Sequence, residues 1–210
     1  MFVYQADSAA HCTIETSRLR LEPWNDSHFD RFASMARDPA TGLSTRRKRL
    51  EPEHVTALHE QSLATWKAYG FGKRAIIEIE TGLWLGYVEL TPGRPNRGSR
   101  NEEIELGCVV APSRGSEGIA VEATLAARDE AFHRCQAEQL LGLRRVEETA
   151  TGRVLERAGF RPVCLFELED GIVVEVLRIE RSDWLETPEG RVRPTFDSYR
   201  TAGTGGHETR

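Results

Sequence analysis

The chain is poor in cysteine, has no long apolar run and carries no basic excess. Its four cysteines are Cys12, Cys108, Cys135 and Cys164. Their spacing is wide and irregular, with no Cys-x-x-Cys pair and no metal-type Cys/His grouping. That excludes a disulfide framework or zinc ribbon, predicts free thiols in a reducing compartment, and leaves no metal site to expect. No stretch approaches the unbroken apolar length of a membrane span, so no membrane partner is expected. Met1 to Cys12 lacks a basic flank followed by an apolar run, so no secretory leader is expected and the cytoplasm is the default compartment. Lys and Arg total 28 against 33 Asp and Glu, a formal net charge of −5. Proteins that hold nucleic acid by its phosphates need a basic excess or a basic face, so no nucleic-acid partner is expected. The one basic run, Arg46-Arg47-Lys48-Arg49, is short and reads as a solvated loop.

What is present is a soluble globular balance: 39% hydrophobic and 29% charged residues in 210. This length allows one domain with a sizeable core plus a tail. Alternation predicts strands at Arg18–Pro23, Ala75–Glu80, Leu83–Thr91, Glu103–Val110, Gln139–Leu143, Cys164–Glu169 and Ile172–Ile179. Thr81-Gly82 and Asp170-Gly171 read as hairpin turns. Helical spacing predicts helices after Asn25 or Asp26, from Pro52 to Tyr69, from Ile119 to about Cys135, and from Thr149 to Ala158. Gly159 closes the last of these. Strands and helices alternate only in the second half, so a mixed sheet is expected. A domain over residues 1–185 and a flexible tail over 186–210, rich in Pro, Gly, Thr and charge, complete the layout.

The unit with chemical potential is the strand Glu103–Val110, the loop Gly115–Gly118 and the helix from Ile119. Helix N-termini offer backbone N–H groups without helical partners, and glycines let a phosphate come close. Taken locally, such a unit often binds nothing. The segment Ser116-Glu117-Gly118-Ile119-Ala120-Val121-Glu122-Ala123, however, resembles the pyrophosphate loop of GNAT acyl-CoA N-acyltransferases, most of all the branch containing ribosomal-protein-alanine N-acetyltransferases. Glu15–Leu21, Thr81–Val88, Ile104-Glu105-Leu106-Gly107 and Val154–Phe160 resemble further segments of that branch, in order, over about Ile14 to Trp184.

The resemblance implies an α+β GNAT fold: a mixed, mostly antiparallel sheet of six to seven strands with about four helices. It implies transfer of an acetyl group from acetyl-CoA to a primary amine, by direct attack on the thioester. The amine would belong to a small molecule or a protein N-terminus, and a homodimer would be in keeping with the family. Backbone amides of Cys108, Val109 and Val110 would hold the pantetheine arm. Those of Gly115, Ser116, Gly118, Ile119 and Ala120 would hold the pyrophosphate, and Glu148 stands at a cofactor-contacting position. Glu105 matches the family's frequent carboxylate base, with Glu103 as reserve; on residue type alone both read equally well as a solvated strand edge. Thr151 stands where a hydroxyl can donate to the departing thiolate, or it caps a helix. Gly115, Glu117 and Glu148 depart from the family pattern, and two of them place negative charge near an anionic ligand. The competing reading is therefore a GNAT-fold module without catalysis that serves as a binding or interaction protein.

Overall fold

The computed structural model describes residues 13–41, 50–93, 103–115, 117–168 and 171–191. The basic run at 46–49, Ser116 and residues 192–210 lie outside them. Eight strands form one sheet in the order β1-β2-β3-β4-β5-β6-β8-β7. They are β1 Ile14–Glu15, β2 Leu19–Pro23, β3 Lys73–Glu78, β4 Trp84–Pro92, β5 Ile104–Val110, β6 Gln139–Arg145, β7 Arg161–Glu167 and β8 Val173–Glu180. Every neighbouring pair is antiparallel except β5 and β6, which are parallel. The helices are α1 Phe29–Ala36, α2 Pro52–Tyr69, α3 Ile119–His133, α4 Thr149–Arg157, α5 Arg181–Leu185 and α6 Pro188–Arg191.

The expected mixed, mostly antiparallel architecture is present, with eight strands rather than six or seven. The additional strand, β1, is two residues long and has no period to read; it exists because Ile14 and Glu15 pair with Leu21 and Arg20. Helix α5 is likewise set by a tertiary contact. Trp184 stacks on Phe132 with ring centroids 5.0 Å apart, and its Nε1–H donates to Asp129 at 2.9 Å. Helix α6 lies within the segment expected as tail. Strand β3 begins two residues before its expected start, because the Lys73 carbonyl accepts from the Trp24 N–H at 3.0 Å and the Trp66 indole N–H at 2.6 Å. The turn after it forms at Thr81-Gly82, with Gly82 at φ +69°.

Period-two alternation divides the sheet between two cores. Leu19, Leu21, Ile76, Val88, Leu90, Ile104 and Leu106 face α3 and α4. Ala75, Ile77 and Tyr87 join Trp24, Phe32, Val55 and Trp66 on the face covered by α1 and α2. Helix α3 lies close to the sheet because Ala123, Ala127 and Ala131 present no bulk; all three are buried. One ionic network ties α3 to β3. Buried Arg74 donates from Nε and Nη2 to the two Glu130 oxygens at 2.8 and 2.6 Å. Arg134 Nη2 donates to Glu130 Oε1 at 2.6 Å. Burial alone raises the Glu130 carboxyl, but the Arg74 and Arg134 guanidinium groups outweigh it and hold the carboxyl below its ordinary value. No helix among the described residues is long and apolar enough to cross a membrane.

Candidate active site

The site begins where two strands part. β5 and β6 pair only at Ile104↔Leu140 and Glu105↔Leu141. Beyond Glu105 the strands diverge, while β5 stays paired with β4 as far as Gly86↔Val110. One edge of β5 from Leu106 onward therefore has no strand partner among the described residues. The ladder phase identifies which groups line that edge. The Ala111 N–H donates to Leu85 O at 2.8 Å, and the Gly93 N–H donates to Glu103 O at 2.6 Å. In an antiparallel ladder alternate residues turn their backbone groups to the same neighbour. Glu105, Gly107 and Val109 thus bond β4, whereas Leu106, Cys108 and Val110 point their N–H and C=O groups into the opening. Of the three strand residues expected to hold a pantetheine arm, Cys108 and Val110 offer their amides to the cleft, and Val109 spends its own on Tyr87. Leu106 also turns its backbone groups to the opening, which sequence reasoning missed because ladder phase depends on the partner strand.

Past β5 the chain makes a short 3-10 turn, Pro112–Arg114, and enters α3 through Gly118. Gly118 sits at φ +77°, a left-handed conformation that glycine adopts without Cβ strain. The first helical bond runs from the Glu122 N–H to Gly118 O at 3.1 Å. Among the described residues the N–H groups of Ile119, Ala120 and Val121 have no carbonyl partner one turn back, the arrangement that receives an anion. Gly115 differs from Gly118. Its φ is −64° and its N–H donates to Pro112 O at 3.3 Å. A Cβ there would meet only Pro112 O, at an ordinary 3.5 Å. Gly118→Ala is expected to cost roughly 1–2 kcal/mol through backbone strain and to weaken acyl-CoA binding, whereas Gly115→Ala leaves both nearly unchanged. Paired thermal melts with and without ligand check this.

The loop's charges are matched internally. Arg114 donates from Nε to Glu117 at 2.6 Å and from Nη2 to Glu78 at 2.5 Å. The Arg114 hydrogen bond holds the Glu117 carboxyl below its ordinary value. Arg18 donates to the Glu117 carbonyl at 3.0 Å and to the Glu122 carboxylate at 2.7 Å. Glu122 also accepts from Thr16 at 2.6 Å and Ser17 at 3.0 Å, which bolts the start of α3 to the β1–β2 turn. Glu117 is thus a partner of Arg114 rather than an isolated charge facing the cleft. Glu117→Gln releases half of that hold and is expected to tighten acyl-CoA binding several-fold at low ionic strength. Screening should shrink the gain at high salt. Titration at two salt concentrations reads it, and an unchanged affinity at both would mean that Arg114 stays on Glu78.

The other wall of the opening is β6 and α4. Glu148 is the residue before α4 and makes no side-chain cap; its carboxylate lies 3.6 Å from Arg145 Nη1. Arg144 pairs with Glu175 at 2.6 Å, and Arg153 is exposed. Thr151 stands in the first turn of α4, half-buried, and is not its cap. α4 comes close because Gly142 receives Leu155 and Gly152 receives Arg144; a Cβ at either glycine would meet those side chains at under 3 Å.

Glu105 lies at the point of divergence, 8% exposed, on the face of α1 and α2. Glu103 accepts from Gln139 Nε2 at 2.7 Å. Cys108 faces α3, where burial pushes its thiol up to about 12, so it is no thiolate near neutrality. Trp24 and Trp66 are core residues. His133 packs edge-on to Trp184, with ring centroids 4.5 Å apart. A groove of about 340 Å³ lies apart from the opening, between β1 and the back of α3. Its carboxylates Glu122 and Glu130 are already held by arginines.

Chemically, the opening pairs an amide-lined edge and an anion-receiving helix start with a buried carboxylate at its vertex. A family model, "Acetyltransferase (GNAT) domain", matches residues 18–161. An acetyltransferase from Agrobacterium tumefaciens superposes with a TM-score of 0.68 at 26% identity, covering 80% of this chain and 94% of that one. A GNAT-family acetyltransferase from Bacillus anthracis gives 0.67 at 16% identity, covering 80% and 98%. RimL, a ribosomal L7/L12 alpha-N-protein acetyltransferase solved with coenzyme A, gives 0.65 at 14% identity, covering 80% and 97%. No curated protein matches the chain. The chain belongs to the GNAT acetyltransferase family, whose members use acyl-CoA, and it is an acyltransferase.

Proposed function

We propose that the enzyme transfers an acetyl group from acetyl-CoA to a primary amine of a small molecule or a protein N-terminus. The observation that carries this is the one-sided edge of β5, whose Leu106, Cys108 and Val110 amides lead from Glu105 to the start of α3. A pantetheine arm laid along that edge puts its phosphates at the N–H groups of Ile119 and Ala120 and its thioester near the vertex. α3 and α4 fill one face of the sheet there, so the amine arrives from the face of α1 and α2, where Glu105 stands. Glu105 takes a proton from the ammonium. The nitrogen then bonds the acyl carbon and the C–S bond breaks. The thiolate leaves against the Thr151 hydroxyl and takes up the second proton, released by the acylated nitrogen; the amide departs with the acyl group, and Glu105 returns its proton to solvent.

Thermal unfolding with and without acetyl-CoA, with ADP as control, tests the binding half. A ligand at about 100 times its Kd stabilises the folded state by roughly 2.7 kcal/mol. A rise in Tm specific to acetyl-CoA is expected, and no rise near millimolar ligand would contradict the reading.

A further inference from the structure

Lys73 carries a charge into the core, and the reaction above gives it no task. It is 5% exposed. Its Nζ lies 4.3 Å from the ring centroid of Tyr87, 4.5 Å from that of Phe32 and 5.1 Å from that of Trp24. Three rings around an ammonium form a cation–π cage, which holds the charge without solvent. The carboxylate that meets it is Glu89, with Nζ to Oε2 at 3.5 Å. The cage is itself braced: Trp24 Nε1–H donates to His59 Nδ1 at 3.0 Å, and His59 Nε2 in turn meets Asp26 at 3.0 Å.

Glu89 is placed by this pair over the cleft strand. It faces Gly107 across the β4–β5 ladder. A Cβ on Gly107 would lie 3.6 Å from Glu89 Cγ and Oε1, so the glycine leaves that carboxylate room to lie over β5. Ladder phase puts Glu89 and Glu105 on one face, one step apart, and that is the face from which an amine reaches the vertex. One Glu89 oxygen turns to Lys73 and the other to Gly107.

We propose that Lys73 is a positioning residue that holds Glu89 as the acceptor-orienting carboxylate, and that the acceptor is an amine arriving as a cationic ammonium. This rests on the acyl-transfer reading. Glu89 receives one N–H of the incoming ammonium, leaving another to face Glu105. Lys73 never meets the acceptor; it acts through Glu89, its charge fixed by the cage.

The test is a double-mutant cycle of Lys73→Met, Glu89→Gln and the pair, read by acetyl-CoA-dependent thiol release. The amine probes are 1,4-diaminobutane, an alanine-initiated peptide, and aniline, which is neutral at pH 7. With the better aliphatic probe, each single variant should raise KM about 10-fold, the lower end of what one hydrogen bond to a charged group contributes, at kcat within a few-fold. The double variant should be no worse than Glu89→Gln alone, because both act through one group. The Tm rise caused by acetyl-CoA should be unchanged in all three. Additive losses, an unchanged KM in Glu89→Gln, or a fall in kcat at fixed KM would overturn the assignment. So would aniline used as well as the aliphatic probes, or no thiol release by the wild type with either aliphatic probe while acetyl-CoA still raises Tm. Absence of that Tm rise in the wild type would overturn the acyl-transfer reading itself. Should Lys73→Met fail to fold, Glu89→Gln, whose amide oxygen can still accept from Lys73 and whose side chain is partly exposed, still decides by its KM.

Discussion

Glu105→Gln is expected to lower kcat by roughly 10²- to 10⁴-fold, the range lost with a positioned proton acceptor, with acetyl-CoA binding unchanged. The separation follows from where Glu105 sits. Its backbone belongs to the β4 ladder and to the last β6 pairing at Leu141. Its side chain points to the α1 and α2 face, away from α3 and the phosphate end. Gln keeps the shape and loses the capacity to hold a proton. Steady-state rates of thiol release, beside a thermal titration with acetyl-CoA, separate the two effects. Equal turnover in the variant would remove Glu105 from the mechanism. Glu103 is the natural control. It stands two residues earlier and is engaged with Gln139, so Glu103→Gln should leave kcat within a few-fold.

Breaking the Arg74–Glu130 pair is expected to destabilise the fold by about 3–5 kcal/mol, because a buried charge loses its partner. For a chain of this size that is a fall in Tm on the order of 10 °C. Arg74→Met and Glu130→Gln each suffice, and thermal unfolding near neutral pH reads both. The same pair sets an acid limit. The folded-state Glu130 carboxyl lies below its ordinary value of 4.5, with Arg74 and Arg134 overcoming burial. A group depressed on folding contributes its stability fully above the unfolded value and loses it as pH falls through the folded one. Stability of the wild type should therefore drop below about pH 4.5, and Glu130→Gln should flatten that part of the profile. A wild type and variant with parallel acid profiles would contradict the assignment.

These networks also mark what could and could not be read from residues alone. The order of elements was legible because period-two runs and helical stripes carry it: the helix expected from Ile119 begins there. Gly118 was legible as a helix start, since few residues other than glycine hold a positive φ. Lys73 and Arg74 were not. They precede the strand expected from Ala75 and carry no alternation to read, yet both are buried, one by three rings and Glu89, the other by Glu130, 56 residues away. The Arg114–Glu117 contact lies within reach of local reading, three residues apart, but the share taken by Glu78 comes from the far end of β3. The opening between β5 and β6 has no local signal, because it is the place where a pairing stops.

The most direct test of acyl transfer at this opening is free-thiol release from acetyl-CoA by the wild type, with 1,4-diaminobutane and with an alanine-initiated peptide, each beside amine-free and enzyme-free controls. Release that requires both enzyme and amine, and that falls by two orders of magnitude or more in Glu105→Gln, is the expected result. Release no faster than the enzyme-free rate with either amine, or equally fast in the variant, would contradict it.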